Sequence, residues 1–294
     1  MKTMEQLKNQ MKPNMTLDEF FQPDVVYDFV KELVDEFSWR KKPVGVVLLY
    51  DKDSSITAST NGERIRINLA TNQMQRQNTF EERYNVLVGL AAHELGHILF
   101  DETDRSYYFV RNILKGKLWP VNFPNLEMHS QYGENALKMM SKEIEGYPVM
   151  RTAMYMLYNK ITNIFEDGYV NRRMSECFPD TLKPCIDYIQ SDSNKWAAGL
   201  APEKYDYLSV LSGLFSFYTD VPSRVNPGAE DCLNAAYEEY KCYGLPDDDM
   251  QRNKLYGAVT VCVYPQFKKF LHECLKTMKE EEKRKENDNV SKAG

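Results

Sequence analysis

Between Asp24 and Trp39 the apolar residues Val26, Phe29, Val30, Leu33, Val34 and Phe37 recur at three- and four-residue intervals, the spacing of an α-helix with one buried stripe. Pro43 closes that stretch. The run VGVVLLY, residues 44–50, is short and rich in β-branched side chains, and predicts a buried strand. In SITASTNGERIRINLA, residues 55–70, the period changes to two. Ile65, Ile67 and Leu69 alternate with Arg64, Arg66 and Asn68, and Asn61-Gly62 suits a type I′ turn, so a half-exposed hairpin is expected.

Helical periodicity returns at TFEE, where Thr79 and Glu82 have the spacing of a capping box. The stripe Leu87, Leu90, Ala91, Leu95 and Ile98 continues this helix through AAHELGHILF, residues 91–100. Beyond about residue 105 the pattern is mostly helical. Pro148 enters a long helix running to about Met174, with Met150, Ala153, Met154, Leu157, Ile161, Ile164 and Phe165 on its apolar side. Prolines and glycines between residues 177 and 230 imply shorter linked helices, and the tyrosines of YMLY and YDYLSVLSGLFSFY read as core. The last seventeen residues, MKEEEKRKENDNVSKAG, are so charged that a disordered tail is expected over 278–294. The fold class expected is α+β: a single domain over residues 1–277. Its first part, to about residue 105, holds the small sheet and the histidine helix, and its second part, about 106–277, is helical, with a cleft between the two.

Composition narrows the functional classes. At 294 residues and 43% hydrophobic the chain can bury a substantial core. A net charge of −6 with both signs interspersed provides no basic face for phosphates or anionic lipid, so nucleic acid and membrane are not expected partners. The first twenty residues lack the apolar core of a signal peptide, and no apolar run approaches the roughly 20 residues that span a bilayer. The six cysteines are scattered, without a CxxC pair, which fits reduced thiols in a cytoplasmic protein.

Chemistry enters with HELGH. On a helix His93 and His97 lie one turn apart on one face and can direct their imidazoles at a common metal ion, while Glu94, about 100° round, stands beside that ion as a base for water. A zinc ion lowers the pKa of its water from about 16 towards 7, which makes this constellation suited to amide hydrolysis. Gly96, small and between the ligands, permits another element to pack closely. The alternative is a helix whose histidines are merely hydrogen-bonded.

These residues resemble the signature of the zincin metallopeptidases, whose HExxH lies on a helix behind a small sheet; the likeness covers roughly residues 43–105 and one later helix. The resemblance implies a zinc-dependent peptidase acting on a peptide or protein substrate, with the hairpin holding extended substrate. Phe100 and Thr103 stand where metzincins carry Gly and His, so the likeness is to gluzincins, which draw a third ligand from a later helix. The stretch NIFEDGYVN is similar to the Glu-Asp helix of HExxH domains in bacterial and phage proteins related to cobalt-chelatase subunits and other von Willebrand A-type proteins. Carried over, Glu166 is the third zinc ligand and Asp167 a partner orienting a histidine; Asn171 departs from that pattern, which tends to have an acid there.

Asp167 itself, and Asp101 or Asp104 behind the motif, stay open as third ligands, and His129 as a ligand or transition-state donor. Tyr169 is the candidate to stabilise the oxyanion, with Arg172 and Arg173 as rivals. Two other functions fit the same residues: an inactive metal-binding module that engages a protein partner, and an amidase acting on non-peptide substrates.

Overall fold

The computed structural model describes residues 3–39, 43–100, 111, 115, 126–146, 149–198, 203–219 and 225–293. The chain is mixed α+β. Its elements are α1 (Met4–Lys8), α2 (Leu17–Phe20), α3 (Pro23–Phe37), β1 (Gly45–Leu49), β2 (Ala58–Thr60), β3 (Arg64–Asn68), α4 (Asn72–Gln75) and α5 (Phe80–Phe100), followed by α6 (Gln131–Gly146), α7 (Val149–Cys177), α8 (Lys183–Ala198), α9 (Asp206–Leu214), α10 (Glu230–Tyr243) and α11 (Asp249–Ala293). They form two compact units, one of Met1–Thr103 with Glu166–Leu200 and one of Asp104–Phe165 with Ala201–Gly294.

The first unit has a three-stranded sheet in the order β1-β3-β2, with β1 parallel and β2 antiparallel to β3. Ile65 and Ile67 point into the core, while Arg64 and Arg66 are exposed on the opposite face. Asn68 breaks the alternation because its amide is used structurally: Oδ1 accepts from the backbone of Asp51 and Ala70, and Nδ2 donates to the Asp51 carbonyl. The turn of this hairpin is Asn61 to Glu63, with Gly62 at φ 84°, a conformation open to glycine because it has no Cβ. Asn61 Oδ1 accepts from the N–H groups of Glu63 and Arg64 to complete it.

β1 corrects one expectation. Among the described residues it pairs only with β3, at the edge of the sheet, and Leu49 is 42% exposed where a buried strand was anticipated.

α3 buries the whole stripe from Val26 to Phe37 and packs on β1. α5 packs on β2, β3, α3 and α8 and is buried around most of its circumference. Its start is the capping box anticipated: Thr79 Oγ1 accepts from the Glu82 N–H at 3.2 Å, and Glu82 Oε2 accepts from the Thr79 N–H at 3.0 Å. Such a helix, held on several sides at once, is a rigid platform for side chains that must converge.

The second unit is helical, with its core on Leu157, Ile161, Phe165, Val259 and Val263. Phe165 stacks on Tyr240 and Tyr256, both at 5.9 Å between ring centroids, and Tyr158 and Tyr207 are buried, so the tyrosine-rich segments do pack inward. α11 corrects the expectation of a disordered tail, for it continues helical to Ala293. Glu, Lys and Arg are good helix formers, and neither Gly nor Pro interrupts residues 278–293, so local propensity favours the continued helix. All six cysteines are free thiols.

Candidate metal centre

α5 and the second half of α7 meet at Gly96. A Cβ placed there would lie 2.8 Å from Met174 Cγ and 3.2 Å from Val170 Cβ, so only glycine lets the two helices approach this closely. On α7 the residues Asp167, Val170, Asn171 and Met174 fall within about 100° of arc and make up the face turned to α5. Asp167 and Asn171 are thus spaced four apart, as His93 and His97 are.

The ligand atoms converge. His93 Nε2 lies 3.3 Å from His97 Nε2, Asp167 Oδ1 lies 3.2 Å from His97 Nε2, and Asp167 Oδ1 lies 3.7 Å from His93 Nε2. The imidazole planes stand at 87° to each other. Among the described residues these three side chains form the group of His, Cys, Asp or Glu whose ligand atoms lie within 4.8 Å of one another. Tetrahedral zinc with ligands at 2.0–2.1 Å requires donor atoms about 3.3–3.4 Å apart, the edge of that tetrahedron. The observed triangle matches this edge within a few tenths of an ångström, so the residues fit a zinc ion. The two nitrogens and one carboxylate oxygen are also acceptable to other divalent transition ions.

His93 Nδ1 lies 2.8 Å from Asn171 Oδ1. An amide oxygen only accepts, so Nδ1 carries the proton and Nε2 is left with its lone pair. Burial lowers the His93 pKa, which outweighs the opposing effect of Asp167, and favours the neutral ligating form. Both imidazoles are 17% exposed and the Asp167 carboxylate 39%, so the group opens to solvent on the aspartate side. Glu94 is buried beside it. Burial raises its carboxyl to about 7, with the Asp167 charge adding to this and His97 opposing it. A carboxyl so placed exchanges protons near neutrality, as a general base must.

Two site expectations change. Asp167, not Glu166, belongs to the histidine group, because consecutive helical residues diverge by about 100° and only one of the pair can face His93 and His97. Glu166 is buried on the flank of the same helix. The orienting part expected of Asp167 falls instead to Asn171, a role the sequence reading missed. Its signal was the matched spacing of His93/His97 and Asp167/Asn171.

Tyr169 is the second change, since it lies about 200° round α7 from Asp167, on the far side of the helix from the ligand group. The Arg172 guanidinium sits over the Tyr169 ring at 5.5 Å, and the helical phase does not turn this tyrosine to the ligand group. Arg172 and Arg173 both approach Glu176, and Arg173 also covers the Phe100 ring at 5.3 Å. His129 belongs to the second unit, where its Nδ1 and backbone N–H each lie 2.8 Å from an oxygen of the buried Glu239 carboxylate. Asp101 and Asp104 lie outside the described residues.

No family model, curated protein or solved structure matches this chain. Among the described residues no helix is long and apolar enough to cross a membrane.

Proposed function

We propose that this chain is a zinc-dependent hydrolase of peptide bonds, with zinc held by His93, His97 and Asp167. The observation that carries the reading is the triangle of donor atoms at 3.2, 3.3 and 3.7 Å on two crossing helices, with the Glu94 carboxylate one residue from the first ligand. A bound zinc ion supplies Lewis acidity toward a carbonyl oxygen and toward water. Three protein ligands leave a fourth position open, the arrangement of catalytic rather than structural zinc.

Glu94 accepts a proton from the attacking water and delivers it to the leaving amine, so one carboxyl serves as base and then acid. Its burial beside the open group keeps bulk water from competing for that proton. Asp167 brings a negative charge that holds the ion, and its exposure leaves room on that side for a substrate. A glutamate in this position favours an enzyme over a metal-binding interaction module, because a purely structural ion needs no base. The six free thiols are in keeping with a reducing, cytoplasmic compartment.

The test compares wild type with Glu94→Gln. Equal zinc content by mass spectrometry, with cleavage of a peptide library by wild type alone, is the expected result. Zinc in both proteins with no turnover by either would overturn the peptidase reading in favour of the interaction module. Metal-dependent hydrolysis restricted to non-peptide amides would replace the substrate class.

A further inference from the structure

We propose that Trp39 determines substrate specificity, forming with Phe100 and Phe178 an aromatic platform that receives an uncharged aromatic side chain of the peptide. The inference rests on the hydrolase reading above and names the substrate that such an enzyme selects. All three residues belong to the first unit, as do His93, His97 and Asp167.

The open surface of α5 leads from the ligands to this platform. Between Val86 and Phe100 the helix is buried except at His93, His97, Leu99 and Phe100. Leu99 turns about 120° away from His93, whereas His93, His97 and Phe100, spaced i, i+4 and i+7, lie within about 60° of arc and make one stripe. A chain that is bound at the ligand group and follows this stripe meets Phe100 about 4.5 Å of helical rise beyond His97. An extended peptide advances about 3.3 Å per residue, so the side chain concerned lies roughly one to three residues from the scissile bond.

The stripe ends on Trp39. Its ring stands 5.5 Å from that of Phe100 at 63° and 6.1 Å from that of Phe178 at 38°. Phe178 is in turn held by Phe37 at 4.8 Å, and its N–H donates to the Met174 carbonyl at 2.9 Å, so it prolongs the face of α7 that meets α5. Two rings thus fix the indole on one side, yet Trp39 remains 56% exposed. An aromatic group ordered on one side and bare on the other is a surface on which a further ring gains both apolar burial and stacking.

An indole face also accepts a cation, and charge decides between the two. The Arg173 guanidinium already covers the Phe100 ring at 5.3 Å. Arg172 and Arg173 share the single carboxylate of Glu176, at 3.8 and 3.6 Å, so these three groups together carry one positive charge. A substrate lysine or arginine is repelled there, and an uncharged ring is favoured.

The experiment uses the full-length, zinc-loaded chain and one peptide scaffold with Phe, Ala or Lys placed in turn at each position beside the cleaved bond. Wild type should show kcat/KM at least about tenfold higher for Phe than for Ala or Lys at one position. Trp39→Ala should bring that ratio to about one, and Trp39→Phe should keep most of it. Urea denaturation reports the folding of both variants; Trp39→Gln, which keeps much of the bulk, repeats the test should alanine unfold the chain. Binding without turnover is read on zinc-loaded Glu94→Gln by fluorescence anisotropy of labelled peptides. The Phe peptide should bind at least about tenfold tighter than the Ala peptide, and adding Trp39→Ala should remove the difference. Equal use of Phe and Ala, a preference for Lys, or an aromatic preference that survives in folded Trp39→Ala would each overturn the proposal. Should wild type cleave no peptide, the peptidase reading fails, and the anisotropy titration alone decides whether Trp39 receives an aromatic side chain.

Discussion

Replacing Gly96 by alanine tests whether the helix crossing builds the site. The added Cβ would stand 2.8 Å from Met174 Cγ and 3.2 Å from Val170 Cβ, whereas carbon atoms rest at about 3.5–4.0 Å. Met174 can turn aside. Val170 Cβ is fixed to its backbone, so the helices must separate by roughly 0.3–0.8 Å. That retreat stretches the 2.8 Å bond between His93 and Asn171 towards about 3.5 Å, at the limit of hydrogen bonding. It also draws Asp167 away from His97.

Overpacking of about 1–3 kcal/mol, offset by about 0.5–1 kcal/mol from removing a glycine from a helix, leaves a net loss on the order of 1 kcal/mol. Urea denaturation should therefore show a lower midpoint at unchanged slope, and chelator competition should show zinc binding at least about tenfold weaker. Gly89→Ala is the control. Its Cβ would meet the Cys185 carbonyl oxygen at 2.6 Å and Ile189 Cγ2 at 2.7 Å, a clash with α8 that destabilises the unit without touching Asp167 or Asn171. A Gly96→Ala protein that gains stability and binds zinc as wild type does would refute the argument, as would an equal loss of affinity in Gly89→Ala.

The exchange of roles on α7 predicts that Asp167→Ala loses stoichiometric zinc by mass spectrometry while Glu166→Gln retains it; the reverse would restore Glu166 as the ligand. Zinc bound to the folded chain alone stabilises it by about 2.7 kcal/mol at a concentration 100 times its Kd. Denaturation with and without chelator should show this increment in wild type, and it should vanish in His97→Ala.

How much of this was legible in the sequence depended on whether a signal was local. The stripe from Val26 to Phe37, the Thr79–Glu82 capping box and the alternation around Ile65 and Ile67 are decided within a turn or a strand pair, and each is found where its pattern placed it. β1 was misjudged because VGVVLL is apolar on both faces whether a strand lies at the edge or the centre of a sheet; only its pairing with β3 alone settles the matter. At the C-terminus, charge density argued for disorder while the residue types favour helix. With no Gly or Pro between 278 and 293, propensity prevailed.

The candidate site divides along the same line. His93, Glu94 and His97 lie on a single turn, so their mutual geometry is set by helix pitch and was readable without a fold. The third donor comes from a later helix, about 70 residues after His97, and Glu166-Asp167 offers two adjacent carboxylates about 100° apart. Which one faces α5 is a question of helical phase, and the phase of α7 is set by what packs against Gly96. Val170 and Met174 occupy that contact, so the residues flanking them on the same face, Asp167 and Asn171, are carried to the histidines and Glu166 is turned to the side. The close approach that Gly96 allows, more than the identity of either acid, therefore selects the donor. The Gly96→Ala variant then becomes a test of donor selection as well as of packing: once Val170 is forced back, Asp167 should lose its hold on the group although its own side chain is unchanged.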